Sequence, residues 1–463
     1  MADPSGTGMC KHPPELMPVR VVRREQGLRL GQRIIVPFAG PGAGTGPLAW
    51  GQQQVWASMV ETGSSMSMGG VVPVDDGRTV EDFAAELRFF MSRYAAMRTR
   101  LRLAADGTVT QEVAGAGEAV LEVLDADDGA DPAAVAEALA AGWRERTFDY
   151  EHEWPLRMGV VCRAGAVTHV VVMICHIAAD LGGIAVMMRE LAGRDPVTGE
   201  PAGPYEAPQP LDLARMQQEP ALLRQTAAAM RYWESHLRAI PASMFRGPVD
   251  RGDPVYCRIR WQSRAMHLAS AAVSARLGAD PAWVLLAALA AGLERVQPGT
   301  GPFVGIGIIG NRFRPGLRDV VSPVTQDGLC VLDVAGVEPA EAIARARAAS
   351  MSASKHAYYD PRARAELTAR VGRERGEDLD LTCIYNDRRT PRPSAPGGDP
   401  EEALGETRVL AEEALKFLGP KLMLVVEDVP DLVRLTVSAD TRYLSRPDLL
   451  ALLAEMESFA LRA

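Results

Sequence analysis

Val170-Val171-Val172-Met173-Ile174-Cys175-His176-Ile177-Ala178-Ala179-Asp180-Leu181-Gly182-Gly183 is the stretch on which the reading of this chain turns. An apolar run stops at one histidine, and an aspartate follows four residues later. Two glycines then precede a helical pattern, Ile184-Ala185-Val186-Met187-Met188-Arg189-Glu190-Leu191. A short continuous apolar run fits a strand buried on both faces. Such a strand would deliver the imidazole of His176 to its end. A neutral imidazole can take the proton that an amine or alcohol loses as it attacks a carbonyl. The glycines are expected to permit a sharp turn. Backbone N–H groups at Gly182 and Gly183, where the helix begins, would then favour the oxyanion of a tetrahedral intermediate. Asp180 admits three readings. It could accept a hydrogen bond from the other ring nitrogen, pair with an arginine that locks the loop, or cap the helix. Its place beyond the turn favours the arginine. The bland alternative is a packed or surface histidine with no chemistry. Asp-Leu-Gly-Gly also resembles a phosphopantetheine attachment motif, but Ile184 stands where the serine is required.

At 463 residues the chain exceeds one core of ordinary size, so two domains or lobes are expected. Hydrophobic residues at 47% and charged residues at 24% are ordinary for a globular protein. A net charge of −9 argues against nucleic acid as the main partner, because there is no basic excess to neutralise phosphates. Cys10, Cys162, Cys175, Cys257, Cys330 and Cys383 are scattered without a C-x-x-C pair. They read as reduced thiols, with neither a disulfide framework nor a metal site. The first twenty residues hold four prolines and no apolar core of a signal peptide. No aliphatic stretch reaches the ~20 residues that span a bilayer. The expectation is a cytoplasmic protein with no membrane partner.

Residues 1–47 are expected to form an N-terminal extension and linker. Arg33 to Phe38 could be a short strand, and Ala39-Gly40-Pro41-Gly42-Ala43-Gly44-Thr45-Gly46-Pro47 is a linker by composition. Thr79 to Met97 has helical spacing at Val80, Phe83, Leu87, Phe90, Met91 and Tyr94. Asp131 is expected to cap a helix with Pro132 at its first position. Leu156–Val161 and Val167–Ile174 read as paired strands. Five prolines between Asp195 and Pro210 suggest the crossing between lobes. Leu211 to Leu237 reads as one helix. Helices and strands alternate in both halves, which predicts an α/β fold. His152, His169, His236 and His267 show no partner pattern and read as structural. Arg388-Arg389-Thr390-Pro391-Arg392 is a small basic cluster on a loop.

Taken together and in order, these motifs resemble the condensation domains of nonribosomal peptide synthetases, within the chloramphenicol acetyltransferase-like acyltransferases. Cys175-His176-Ile177-Ala178-Ala179-Asp180-Leu181 is similar to the signature H-H-x-x-x-D-G, whose second histidine is the active one. Upstream, Trp50 to Trp56 resembles the A-Q-x-R-x-W helix, and Arg93 to Thr99 resembles R-H-x-x-L-R-T. Downstream, Ile306 to Arg312 resembles a strand ending in G/N-R, and Asp319 to Gln326 resembles D-x-V-G-x-F-V-N. Ser354 to Asp360 resembles A-x-H-Q-x-Y-P, Ile384-Tyr385-Asn386 the strand before the floor loop, and Ser438 to Thr441 the closing Y-D-T segment. The resemblance runs from about Leu48 to the C-terminus. Cys175 replaces the first histidine, Leu181 the glycine and Gln326 the asparagine.

The resemblance implies two chloramphenicol acetyltransferase-like lobes in a V-shaped pseudo-dimer with a tunnel between them. Residues 48–200 would form the N-terminal lobe with the His-x-x-x-Asp motif. Residues 201–463 would form the C-terminal lobe with floor-loop and latch segments. His176 would be catalytic, Asp180 would hold its loop by pairing with Arg312, and Cys175, Gln326 and His356 are candidates for the tunnel wall. The implied reaction joins a carrier-bound acyl or aminoacyl thioester to a small-molecule amine or hydroxyl acceptor, in natural-product biosynthesis. The thioester would ride on the phosphopantetheine arm of an acyl or peptidyl carrier protein acting in trans on a free-standing enzyme. No metal and no tightly bound cofactor are called for. Two alternatives stay open: a non-catalytic recruitment domain of the same fold, and a coenzyme A-dependent O- or N-acyltransferase.

Overall fold

The computed structural model describes residues 31–126, 129–195, 198–250, 254–390 and 397–463, with only the strand backbones at 18–19, 24–25 and 28–30 before them. By contact the chain divides into two units. The first takes Met1–Met59, Gly63–Arg215 and Pro315–Pro323; the second takes Val60–Thr62, Met216–Arg314 and Val324–Ala463. The break after Arg215 lies beyond the proline-rich segment, where a boundary at 200 was expected.

The strands of the first unit are β1 (Pro18–Val19), β2 (Arg24–Glu25), β3 (Leu28–Ala39), β4 (Gly44–Pro47), β5 (Met68–Pro73), β6 (Thr99–Leu103), β7 (Val109–Val113), β8 (Ala116–Asp125), β9 (Leu156–Arg163) and β10 (Ala166–Ile174). Its helices are α1 (Trp50–Thr62), which runs on into the second unit, α2 (Val80–Arg93), α3 (Pro132–Glu145) and α4 (Leu181–Ala192). The main sheet has the order β1-β3-β8-β9-β10-β5, with β2 on β3. The β8–β9 pair is parallel, and β9–β10 and β10–β5 are antiparallel. Along β10, Val170 and Ile174 join the core with Phe83, Leu87 and Leu121, while Val171 and Met173 join Leu139 and Trp143 of α3. Both faces of the strand are therefore buried, which explains a sequence with no polar alternation. Each such aliphatic side chain contributes about 1.5–3 kcal/mol by leaving water.

Local signals act as their chemistry dictates. Thr79 and Asp82 form a reciprocal capping box at the start of α2. Asp131 accepts from the Ala133 N–H at 3.2 Å, with Pro132 opening α3. The N-terminal linker reading needs correction. β3 is a twelve-residue strand whose Ile34, Val36 and Phe38 are buried, and β4 pairs with β7 through Gly44↔Val113 and Pro47↔Thr110. A glycine- and proline-rich segment can serve as a short edge strand, because an edge leaves alternate N–H groups unpaired anyway. Residues 1–17, 20–23 and 26–27 of the expected extension, Cys10 among them, lie outside the described residues.

The second unit contains α6 (Pro220–Leu237), β11 (Tyr256–Ser263), α7 (Arg264–Leu277), α8 (Pro281–Val296), β12 (Phe303–Ile309), β13 (Gln326–Leu332), α9 (Pro339–Lys355), α10 (Pro361–Arg375), β14 (Cys383–Asp387), β15 (Arg408–Leu415), β16 (Leu422–Glu427), β17 (Val433–Asp440) and α11 (Arg446–Arg462). A short α5 (Pro210–Met216) precedes α6, so the helix expected over 211–237 is broken, and Pro220 opens the second piece. The sheet order is β13-β12-β14-β16-β17-β11-β15, with β12–β14 and β14–β16 parallel. Leu285, Leu289, Leu452 and Met456 share one core with the sheet. A Cβ at Gly292 would stand 2.8 Å from Leu452 Cδ1, so α8 and α11 meet over a glycine. Among the described residues no single helix is long and apolar enough to cross a membrane.

Candidate active site

The His176 turn is built by hydrogen bonds from strands on either side of β10. Ile174 pairs with Leu156 on β9 and Met68 on β5. Beyond it, the Cys175 N–H donates to the Pro155 carbonyl at 2.9 Å and the His176 N–H to the Ser65 carbonyl at 3.3 Å. The Ala178 N–H then closes on the Cys175 carbonyl at 3.0 Å. The reversal is therefore made by Cys175 to Ala178.

The half-buried His176 ring has its Nδ1 2.9 Å from the Ala179 carbonyl. A carbonyl oxygen only accepts, so in the neutral ring Nδ1 carries the proton and Nε2 keeps its lone pair. The loop thus selects the tautomer in which Nε2 can act as a base.

Asp180 is 3% exposed and caps α4: its Oδ1 accepts from the Gly183 N–H at 2.8 Å, and its carbonyl from the Ile184 N–H at 3.0 Å. Two expectations change as a result. Gly182 and Gly183 lie inside the first turn of α4 and do not make the reversal. The Gly183 N–H is already engaged by the cap, whereas Gly182, at the second helical position, has no carbonyl four residues back within the helix to bond. Leu181, in place of the glycine, is 51% exposed.

Cys175 is fully buried with Leu48, Val55, Met59, Leu101, Phe148 and Ile177. Burial pushes its thiol up to about 12, and Sγ lies 3.7 Å from the Ser65 carbonyl. It packs the turn, contrary to a place on a tunnel wall. Gln326 is also fully buried. Its Nε2 donates to the Tyr359 carbonyl at 2.9 Å and its Oε1 accepts from the Tyr359 N–H at 3.3 Å, a backbone clamp within the second unit. His356 ends α9, with Nδ1 2.9 Å from the Ser352 carbonyl and its ring stacked on Tyr232 at 4.4 Å. Burial holds its pKa below the usual histidine value.

Arg312 follows β12 in a turn fixed by Asn311. Asn311 has φ +56 and no exposure, and its Nδ2 donates to the Val324 and Ala357 carbonyls at 3.0 and 2.9 Å. Arg314 donates from Nε to Asn311 Oδ1 at 2.9 Å and from Nη2 to the Ser354 and Lys355 carbonyls at 2.7 and 3.0 Å.

Sequence reasoning missed Ser65 altogether. Its carbonyl holds His176, while its Oγ accepts from the Phe148 N–H at 2.8 Å and lies 2.9 Å from the Tyr150 hydroxyl. A serine at no fixed spacing from the motif carries no signal for this role.

A family profile described as "Condensation domain" matches residues 44–377. The chain belongs to the condensation-domain family. It has the α/β, chloramphenicol acetyltransferase-like fold of that family, in two units. The chain is 27% identical over 332 residues to a protein described as "Probable non-canonical nonribosomal peptide synthetase (NRPS) CymA" of Salinispora arenicola (strain CNS-205). The match takes in 67% of this chain and 4% of that relative, so the chain spans a small fraction of the relative's length. Among solved structures, one concerning condensation domain-mediated chain release from the enacyloxin polyketide synthase gives a TM-score of 0.69 at 19% identity, over 91% of this chain and 82% of that one. Another, the complex of the X-domain and OxyB from teicoplanin biosynthesis, gives 0.67 at 19% identity, over 91% and 94%. At such identities these likenesses speak for the fold alone.

Proposed function

We propose that this condensation domain is an acyltransferase that joins a carrier-bound acyl or aminoacyl thioester to an amine or hydroxyl acceptor. The observation that carries the reading is the His176 tautomer: Nδ1 is held by the Ala179 carbonyl, which leaves Nε2 basic. In the step itself, the acceptor nitrogen or oxygen bonds to the thioester carbonyl carbon and gives its proton to Nε2. The tetrahedral oxyanion collapses, the C–S bond breaks, and the departing thiolate recovers the proton from the imidazolium. The products are an amide or ester and a free phosphopantetheine thiol. A general base of this kind contributes roughly 10²–10⁴-fold. The Gly182 N–H is our candidate oxyanion donor, and Asp180 pairing with Arg312 is our candidate lock on the turn. A carrier protein is the proposed partner, in a cytoplasmic, reducing setting that suits five buried, unpaired thiols.

The test is intact-mass detection of acyl transfer from acylated phosphopantetheinyl carrier to amine and alcohol acceptors, with wild type and His176→Ala compared. Loss of transfer in the variant is expected; equal transfer by both defeats the catalytic reading. A recruitment role draws support from Cys175 and Leu181, which depart from the family signature, and from a relative of this fold in complex with another protein. Under that role His176→Ala leaves in vivo function intact.

A further inference from the structure

His176 is held from outside its own loop by the segment between α1 and β5. Ser65, 3% exposed, presents its carbonyl to the His176 N–H at 3.3 Å and to Cys175 Sγ at 3.7 Å. The next residue, Met66, has φ +45, a left-handed conformation that a residue with a Cβ rarely adopts. That rotation acts on the peptide plane joining Ser65 to Met66, the plane whose oxygen meets His176. The backbone is therefore strained at the place that aims the bond, and such strain persists only where the surroundings hold it.

Phe148 and Tyr150 do the holding. Ser65 Oγ accepts from the Phe148 N–H at 2.8 Å and lies 2.9 Å from the Tyr150 hydroxyl. The Met66 N–H donates to Ser64 Oγ at 3.1 Å, and the Ser64 N–H to the Met59 carbonyl at 3.2 Å. Tyr150 is fixed in turn. Its carbonyl accepts from the Leu101 N–H of β6 at 2.8 Å, and its ring meets Trp56 of α1 edge-on at 5.2 Å between centroids. Met66, Trp56 and Tyr150 all pack against the cluster that contains Cys175 and Ile177. Burial raises the pKa of the phenol, with the bond to Ser65 opposing, so the hydroxyl keeps its proton at neutral pH. Arg389, of the basic cluster expected at 388–392, makes a contrast. Its Nε and Nη2 close on Asp387, two residues away, at 2.9 and 2.6 Å; positions 391 and 392 lie outside the described residues. The Tyr150 hydroxyl instead serves a residue 85 positions distant, and that residue serves the histidine.

We infer that Tyr150 is a positioning residue for His176, acting through Ser65. Its hydroxyl locks the Ser65 side chain. The Ser65 carbonyl, turned by the left-handed Met66, then fixes the main chain from which the imidazole reaches the Ala179 carbonyl. The consequence for rate rests on the acyltransferase reading; the consequence for the ring does not. A neutral histidine ring free in water favours the proton on Nε2. Loosening the main chain of His176 therefore lets the ring drift toward the form with no basic Nε2.

The test is ¹⁵N NMR of the full chain labelled at histidine, at about pH 8.5, above the imidazole titration. The His176 signals are assigned by their loss in His176→Ala, and the ring ¹⁵N shifts give the tautomer. Wild type is expected in the Nδ1–H form. Tyr150→Phe keeps the ring and its packing on Trp56, so it folds, and should show Nε2–H form that the wild type lacks. Ser65→Ala should show more. In acyl transfer from the acylated phosphopantetheinyl carrier, Tyr150→Phe should lower kcat about tenfold with KM within about twofold, the mark of a misplaced base. A loss of stability alone moves the urea midpoint and leaves the native ring shifts as they are. Ring shifts equal to wild type in both variants overturn the inference, whatever the rate does. So does a wild-type ring already in the Nε2–H form, or an unchanged kcat for Tyr150→Phe in an active enzyme. A wild type that transfers no acyl group defeats the acyltransferase reading instead, and the ring shifts still decide the role of Tyr150.

Discussion

The turn after β10 and the end of α9 hold their histidines by the same bond, yet leave them fit for different work. His176 and His356 each place Nδ1 2.9 Å from a main-chain carbonyl, of Ala179 and Ser352 respectively. Around His356 the carbonyl belongs to the preceding helical turn, and the ring lies flat on Tyr232. Around His176 the carbonyl belongs to a loop that is itself bonded to the extensions of β9 and β5. A hydrogen bond alone therefore fixes a tautomer in both places. Only the support behind the bond separates a ring that closes a helix from one presented at the end of a rigid strand.

The sharpest break between the two is catalytic. His176→Ala should lower the transfer rate by roughly 10²–10⁴-fold, the usual worth of a general base. His356→Phe keeps an aromatic ring over Tyr232 and should leave the rate within a factor of about two, since rotamer-neutral surface and stacking changes cost little. Rates are read as acylated acceptor formed per unit time by intact mass. A His356→Phe enzyme as slow as His176→Ala would erase the distinction.

Asn311 sharpens the comparison from the side of stability. Its amide is sealed from water and joins carbonyls on three segments, while its backbone sits in the left-handed region. Asn311→Ala leaves buried acceptors without donors and should cost about 2–4 kcal/mol, read as a lower urea midpoint. Asn311→Gly relieves the φ strain while losing the same bonds, and should recover part of the loss. If glycine and alanine behave alike, the strain at φ +56 is not a separate contribution.

Asp180 divides charge from geometry. Asp180→Ala removes the cap on Gly183 and should cost about 1 kcal/mol; Asp180→Asn keeps an acceptor and should cost only a few tenths. If the proposed pairing with Arg312 matters for turnover, Asp180→Asn should slow transfer while the urea midpoint stays near wild type. Matching losses of rate and stability in both variants would leave the cap as the whole role of Asp180.

Much of this was legible because it rests on patterns shorter than a strand. The apolar run of β10 announced a strand buried on both faces, and Thr79 and Asp131 announced the helices they cap. The glycine roles were not legible: Gly182 and Gly183 could have made a turn, and only the Asp180 cap shows that they begin the helix. Ala39 to Pro47 misled for a related reason. Its composition suits a linker, but β7 offered an edge, and pairing between distant segments is invisible to composition. Ser65, Gln326 and Asn311 act through partners far away in sequence, so their roles had no local signal at all. Cys175 was a candidate for the tunnel wall by its motif position and for packing as a thiol after an apolar run, and the cluster around it is a packed interior.

The smallest effect concerns acid. Burial, chiefly, with Lys355 and Arg314 nearby, lowers the pKa of His356, opposed by its bond to the Ser352 carbonyl. A base with a folded pKa below its unfolded value is held neutral by the fold, so protonation favours unfolding. The stabilisation is complete above the unfolded pKa of about 6.5 and fades as pH falls through the lower folded value. His356→Phe cannot be protonated and should flatten the fall in urea midpoint between those two values. Equal acid slopes in wild type and His356→Phe would mean that the ring over Tyr232 is not the group being held neutral. The two histidines would then differ only in what their loops lean on.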